Sequence, residues 1–192
     1  HAQDREPYVL QRGDLFTILN NANGRNFYGE VGGNAYLLKE GETEAPPEIL
    51  EVWKHAMIVR KIMVESIKAG QTAGEALQLS IDKVKVAGYF YNPVDYWDED
   101  ADQQLTQVHI DNHAAGRQEF AGPRISPFGP EWIRKMKIPD LHTFTFEYMI
   151  HMPVPKWGKG KHLYLPFHDG AIATKEGVIF PYAPDQGIRI IR

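Results

Sequence analysis

The chain has 192 residues, 43% of them hydrophobic and 24% charged, with a formal net charge of −4 and no cysteine. That length suffices for one domain with a sizeable core, or two small ones. The mild negative charge gives no reason to expect nucleic acid or an anionic membrane as partner, and no apolar run approaches the roughly 18 residues of a membrane span. The missing cysteine excludes disulfides, thiolate catalysis and Cys-ligated zinc.

The chain opens at His1 without a signal-peptide pattern and enters strand-like sequence almost at once. It reads as a piece of a longer polypeptide. Leu15, Phe16, Ile18 and Leu19 predict a strand, "NNANGRN" a turn, and Phe27 and Tyr28 the start of a second strand. Ile49, Val52, Trp53, Ala56, Val59, Met63 and Ile67 recur at helical steps, with Pro46 and Pro47 suited to a first turn and Gly70 to a stop. Thr72 and Glu75 form a capping box for a second helix, whose buried stripe is Leu77, Ile81 and Val84 and whose end is Gly88.

Residues 89–108 read as an aromatic and then acidic connection. Asp98, Glu99, Asp100 and Asp102 lack the spacing and glycine of a calcium loop and are expected to be solvated. "VHIDNHAAG" and "PRISPFGP" read as loop-rich, with a short helix near Glu131 to Met136. "LHTFTFEYMIHMPV" alternates as a strand, with Phe144, Phe146 and Tyr148 on one face and Thr143, Thr145, Glu147 and Met149 on the other. The end of the chain reads as strand, strand, turn at "TKEGV", and strand. Strands, two helices and strands again give α+β with a mainly antiparallel sheet.

There is no P-loop, no GxGxxG after a strand, no GxSxG and no HExxH. What remains is a scatter of imidazoles and carboxylates. Glu147 stands mid-strand among apolar neighbours, where it needs either a partner or a solvated sheet face. His109 and His113, four apart, fit a ligand-approaching segment or a surface loop equally well. His168 and Asp169 fit a site or a turn.

The order of these residues resembles the creatinase/aminopeptidase family, the "pita-bread" hydrolases, over nearly the whole chain. "LQRGDLFTI" looks like the start of the family's first ligand-bearing strand, and "IKAGQTAGEALQLSIDKVKVAGY" like its helix pair. "HAAG" is similar to its "HgiG" loop, followed by "FAGPRI". "LHTFTFEYMIHMPV" and "FHDGAIATKEGVI" resemble its glutamate strand and closing hairpin. The resemblance implies a pita-bread fold lacking its first elements: a curved, mainly antiparallel sheet with helices on its outer face. It also implies that 1–192 is a single catalytic-type domain, the C-terminal part of a longer chain.

The family's metallopeptidases hold two metal ions with two Asp, one His and two Glu. Carried over, the His falls on His113 and the first Glu on Glu147. The final Glu falls on Phe167, just before His168; the first Asp falls on Leu19 or Asn20, and the second on or near Glu30. His113 and Glu147 match the family's ligands, Glu30 stands on or near a third, and Phe167 and Leu19 or Asn20 lack the carboxylate, so a standard dinuclear site is not expected. Creatinase, which works without metals, is similar at both ends, in "HAQDREPYVLQRGDLFTILNN" and "FPYAPDQGIRIIR". By that comparison His1 takes the place of the general acid/base and Glu147 that of a substrate-binding carboxylate. The creatinase Glu that holds a guanidinium falls around Gly32 or Gly33, which argues against creatine as substrate.

Three readings follow. The first is a hydrolase or lyase with a degraded metal site and no cofactor, cleaving a C–N or similar bond of a small molecule. Its catalytic residues are His1, His113 and Glu147, and its substrate-binding residues Asn20, Glu30, His109 and His168. The second is an Xaa-Pro-type aminopeptidase or dipeptidase holding one divalent ion (Mn, Co, Zn or Fe) on Glu30, His113, Glu147 and His168. The third is an inactive binding module on the same fold. The expected partner is a small molecule or short peptide, the expected assembly a homodimer, and the expected location cytoplasmic.

Overall fold

The computed structural model describes residues 8–24, 27–116 and 122–192. Among the described residues, nine strands build two sheets. The smaller takes β1 (Leu15–Gly24), β2 (Phe27–Leu37) and β9 (Arg189–Ile191), in the order β1-β2-β9. The larger runs β3-β4-β6-β7-β8, from β3 (Phe90–Tyr91), β4 (Gln107–Ile110), β6 (His142–Pro153), β7 (His162–Ala173) and β8 (Val178–Ile179). The two-residue β5 (His113–Ala114) also pairs with β6. Pairing is antiparallel except for β2 with β9 and β3 with β4. The two sheets meet where β2 packs against β7, with the Asn34 amide donating to the Pro166 carbonyl at 2.9 Å.

The helices cover one face of the larger sheet. In α1 (Pro47–Ser66) the buried stripe is Ile49, Val52, Trp53, Ala56, Val59 and Met63, as the periodicity predicts. The Trp53 ring meets Phe167 of β7 at 5.4 Å, and Phe167 stacks on Tyr148 of β6 at 4.7 Å. Phe146 and Tyr148 are fully buried in the same layer; each such side chain contributes about 1.5–3 kcal/mol through burial. In α2 (Ala73–Val86) both halves of the Thr72/Glu75 capping box are present, and Gly88 follows with the positive φ its turn requires. The short α3 (Glu131–Lys135) lies against α2. Among the described residues no helix is long and apolar enough to cross a membrane.

Four sequence expectations change. Asn20 to Gly24 belong to β1 rather than to a turn, because the pairing with β2 runs on to Gly24 and Phe27. Helix α1 stops at Ser66, ahead of Gly70, because Ile67 turns extended and buries its side chain completely. Residues 90–91 and 107–114 are largely strand, half-buried in the first and buried in the second, not connection and loop. The closing segment is one long strand from His162 to Ala173, where two were expected, held by a twelve-pair ladder with β6. The acidic stretch 98–102 does form an irregular connection, without strand or helix.

Candidate functional site

Antiparallel register decides which side chains share a face. On β6 and β7 the partners Phe146–Asp169 and Tyr148–Phe167 belong to the helix-covered face, and Glu147–His168 to the other. Of the two readings open to Glu147, a partner or a solvated sheet face, the structure shows the first: Glu147 is only 8% exposed and lies beside His113. It lies beneath the smaller sheet. On β2, Glu30 and Gly32 share the face of Asn34, which reaches β7; a Cβ built on Gly32 would lie 3.4 Å from His168.

Glu30, His113, Glu147 and His168 close into a ring of alternating carboxylates and imidazoles. His113 Nε2 stands 3.2 Å from Glu147 Oε2 and 3.5 Å from Glu30 Oε2. His168 Nδ1 stands 3.3 Å from Glu30 Oε1 and 3.6 Å from Glu147 Oε1. All four side chains are 8–11% exposed. The His168 contacts are close but lack hydrogen-bond geometry, which leaves its Nδ1 buried without a hydrogen bond.

Backbone and neighbouring side chains fix the ring. The Tyr28 hydroxyl donates to Glu30 Oε2 at 2.7 Å, and Tyr28 exchanges both backbone hydrogen bonds with Gly116, tying the hairpin to the His113 segment. The Glu147 amide donates to Asn112 Oδ1, while the Glu147 carbonyl accepts from the Asp111 amide. Asp111 is itself gripped by Arg124, which donates to both of its oxygens at 2.8 and 2.6 Å. His113 Nδ1 faces the Ala114 carbonyl at 3.3 Å, which leaves Nε2 for the carboxylates.

Burial dominates the protonation balance. It pushes Glu147 up to about 7, outweighing the His113 hydrogen bond that opposes it, and Asp111 and Glu30 add to the rise. Burial also works against the His113 imidazolium, but Glu147 more than offsets it, and His113 moves up. His168 moves down, because desolvation exceeds the pull of Glu30. Near neutral pH, then, Glu147 and His113 hold a proton between them while His168 tends to the neutral form.

The remaining candidates lie elsewhere. His1 is outside the described residues. Asn20 pairs with Val31, one register step from Glu30, and so stands on the opposite face of the hairpin. It lines a cavity of about 520 Å³ with Glu30, Asp169, Asp185 and Arg189. His109 is fully buried on the same sheet face as Glu147 and Met149, but its contacts are the Asn92 carbonyl and the Phe128 ring, not the four-residue ring. Asp169 belongs to the helix face, in an ion pair with Arg60 of α1 at 3.3 Å.

The register also resolves the carried-over positions. Leu19, opposite Gly32, shares the Glu30 face, whereas Asn20 does not. Phe167 points into the core, and His168 occupies the site-face position across from Glu147. Glu30, His113 and Glu147 each offer a ligand atom within 4.8 Å of the others, a donor set that fits one divalent cation. The flanking site-face positions carry Leu19 and His168.

Sequence reasoning missed Tyr28, Asn112, Asp111 as the anchor of Glu147, and Arg124. Only the two-residue spacing of Tyr28 and Glu30 along one strand could have signalled any of them.

No protein-family model matches the chain, and no curated protein matches it by sequence. Solved structures do match. An X-Pro aminopeptidase from Thermotoga maritima MSB8 has a TM-score of 0.64 at 18% identity, covering 95% of this chain and 43% of its own. Prolidase from Pyrococcus furiosus gives 0.60 at 20%, with 92% and 43% covered. Methionine aminopeptidase from Thermotoga maritima gives 0.58 at 16%, with 90% and 65% covered. The chain thus spans less than half the length of the first two. It has the α+β pita-bread fold that these enzymes share.

Proposed function

We propose that the chain is the catalytic part of a hydrolase acting on a C–N or similar bond of a small molecule or short peptide, through acid–base chemistry of the buried Glu/His ring. One observation carries this reading: His113 Nε2 lies 3.2 Å from Glu147 Oε2, with His168 on the other side of the same carboxylates. Burial raises Glu147 and lowers His168, and Glu147 raises His113, which favours a proton on the Glu147–His113 pair and a neutral His168. Neutral His168 accepts a proton from the water whose oxygen bonds to the substrate carbon as the C–N bond breaks. The Glu147–His113 pair returns one to the leaving nitrogen, and Glu30, fixed by Tyr28, holds the polar part of the substrate. Burial keeps bulk water away from both steps. The assembly proposed with this reading is a homodimer.

Turnover of a panel of short peptides and small amides by the full-length protein tests this. Glu147→Gln, which keeps shape but cannot ionise, is expected to lower kcat by about 10²–10⁴. Unchanged turnover would sink the assignment.

A second reading has its own observation, the 4.8 Å convergence of Glu30, His113 and Glu147. These three would hold one divalent cation, which supplies Lewis-acid activation of water when bound. His168 then remains as the group that moves the proton. Stoichiometric Mn, Co, Zn or Fe in the purified protein, lost together with activity on chelation, would favour it over the metal-free reading.

A further inference from the structure

The floor that carries the ring continues along the same face of β6 and β7. Four residues beyond Glu147 and His168 the facing pair is His151 and Tyr164, and His162 follows on β7. At about 3.4 Å per residue the separation along the strands is about 14 Å. Among the described residues no hydrogen bond or ion pair joins these groups to the ring, although the Asp95 charge is felt at His168 and that of Glu147 at Tyr164.

Here the connection between β3 and β4 folds over the sheet. Trp97 stacks on His162 with centroids 4.4 Å apart and planes within 12°, and the Tyr164 ring lies 4.7 Å from His151. Beside Tyr164 and His151 stands the Asp95 carboxylate. Tyr164 donates to it at 3.1 Å, and its one ion-pair neighbour among the described residues is His151, 3.8 Å away and beyond hydrogen-bond reach. Asp95 and Tyr164 remain 35% and 40% exposed, so the carboxylate is open to a ligand from one side.

The connection is rigidly held. Asn92 donates to the Tyr96 carbonyl and accepts from the Val94 amide. Gln107 accepts from the Asp98 amide and donates to its carbonyl, and Gln103 accepts from the Trp97 indole. A carboxylate without Lys or Arg, held in place beside aromatic rings, is the arrangement that attracts an organic cation: the charge pairs with the carboxylate and the rings add their negative faces. Because the loop is ordered in advance, binding does not have to fix it.

We propose that Asp95 and Tyr164, with Trp97 at the edge, form a second binding site, for an alkylammonium or guanidinium group, further along the same sheet face than the Glu/His ring. A ligand-detected NMR titration of the full chain with n-butylammonium, n-butanol and butyrate tests it. Saturable binding of n-butylammonium alone is expected. Asp95→Asn should weaken that binding at least tenfold, and Trp97→Leu at least threefold by removing the π face. Glu147→Gln should change it less than twofold. Absence of saturable binding, equal binding of n-butanol, or an unchanged affinity in Asp95→Asn overturns the site. Loss of binding in Glu147→Gln with Asp95→Asn intact places the cation in the ring instead, and also overturns it. None of these readouts depends on turnover, so the enzymatic reading stands or falls separately.

Discussion

The β6–β7 ladder and the β1–β2 hairpin are both long antiparallel pairs, yet they supply the site in different ways. β6 is buried on both faces along most of its length and carries its charge in the middle, at Glu147, where Asn112 and Asp111 brace the backbone. β1 is mostly exposed or half-buried, with Ile18 63% and Leu19 44% accessible, and brings no carboxylate to the Glu30 face. A charged group can sit inside this protein where the surrounding ladder is strong enough to offset its desolvation. The hairpin, held on one side only, contributes a single acid from β2 and relies on Tyr28 to aim it.

The largest effect expected from this contrast is on stability. Phe146→Ala removes a fully buried ring at the centre of the ladder and is expected to cost about 3–5 kcal/mol in urea unfolding. Ile18→Thr, on the exposed hairpin, should stay within about 0.5 kcal/mol. Similar costs for the two would mean that the hairpin is covered in solution and that the contrast is not real.

The buried carboxylate leaves a second mark, in the pH dependence of stability. Burial pushes Glu147 up to about 7 in the folded chain, from an ordinary value of 4.5. Between those values the folded state holds the extra proton. The stability it contributes is present below pH 4.5 and lost as pH rises through 7. His113, also raised, acts in the same direction, while His168, lowered, opposes both. Stability of the wild type should therefore fall from pH 5 to pH 8, by at most about 1.4 kcal/mol per unit for each group that titrates. Glu147→Gln removes the titrating acid and the partner that raises His113, so its profile should be flatter. An equally steep fall in the variant would assign the slope to other groups.

How much of this was legible in the sequence divides along the same line. The stripes of α1 and α2, the capping box and the aromatic face of β6 depend on local spacing, and periodicity reveals them. His113 and Glu147 were reached by resemblance, and their neighbours along the chain said little about burial. The rest is register. Whether His168 or Phe167 faces the site depends on its cross-strand partner Glu147, and a slip of one residue exchanges the core and site faces. The same holds for Leu19 against Asn20. Asn-rich sequence suits a turn as well as a strand, so the pairing with β2, not the residues themselves, extended β1 through Gly24.

Register also makes the smallest predicted effect the most discriminating. Leu19 and Glu30 share a face of the hairpin, and Leu19 is accessible enough to be replaced without opening the core. Leu19→Asp would add a third carboxylate beside Glu30 and Glu147, where hard divalent cations gain most from charge. Calorimetric titration with Mn²⁺ is expected to show at least a tenfold gain in affinity over wild type, about 1.4 kcal/mol. Asn20→Asp, one residue along and on the opposite face, should change Mn²⁺ affinity less than threefold. Equal gains at both positions would show that the hairpin shifts register when an acid is placed on it. In that case the weakly held wall, rather than the missing carboxylate, limits what the site can bind.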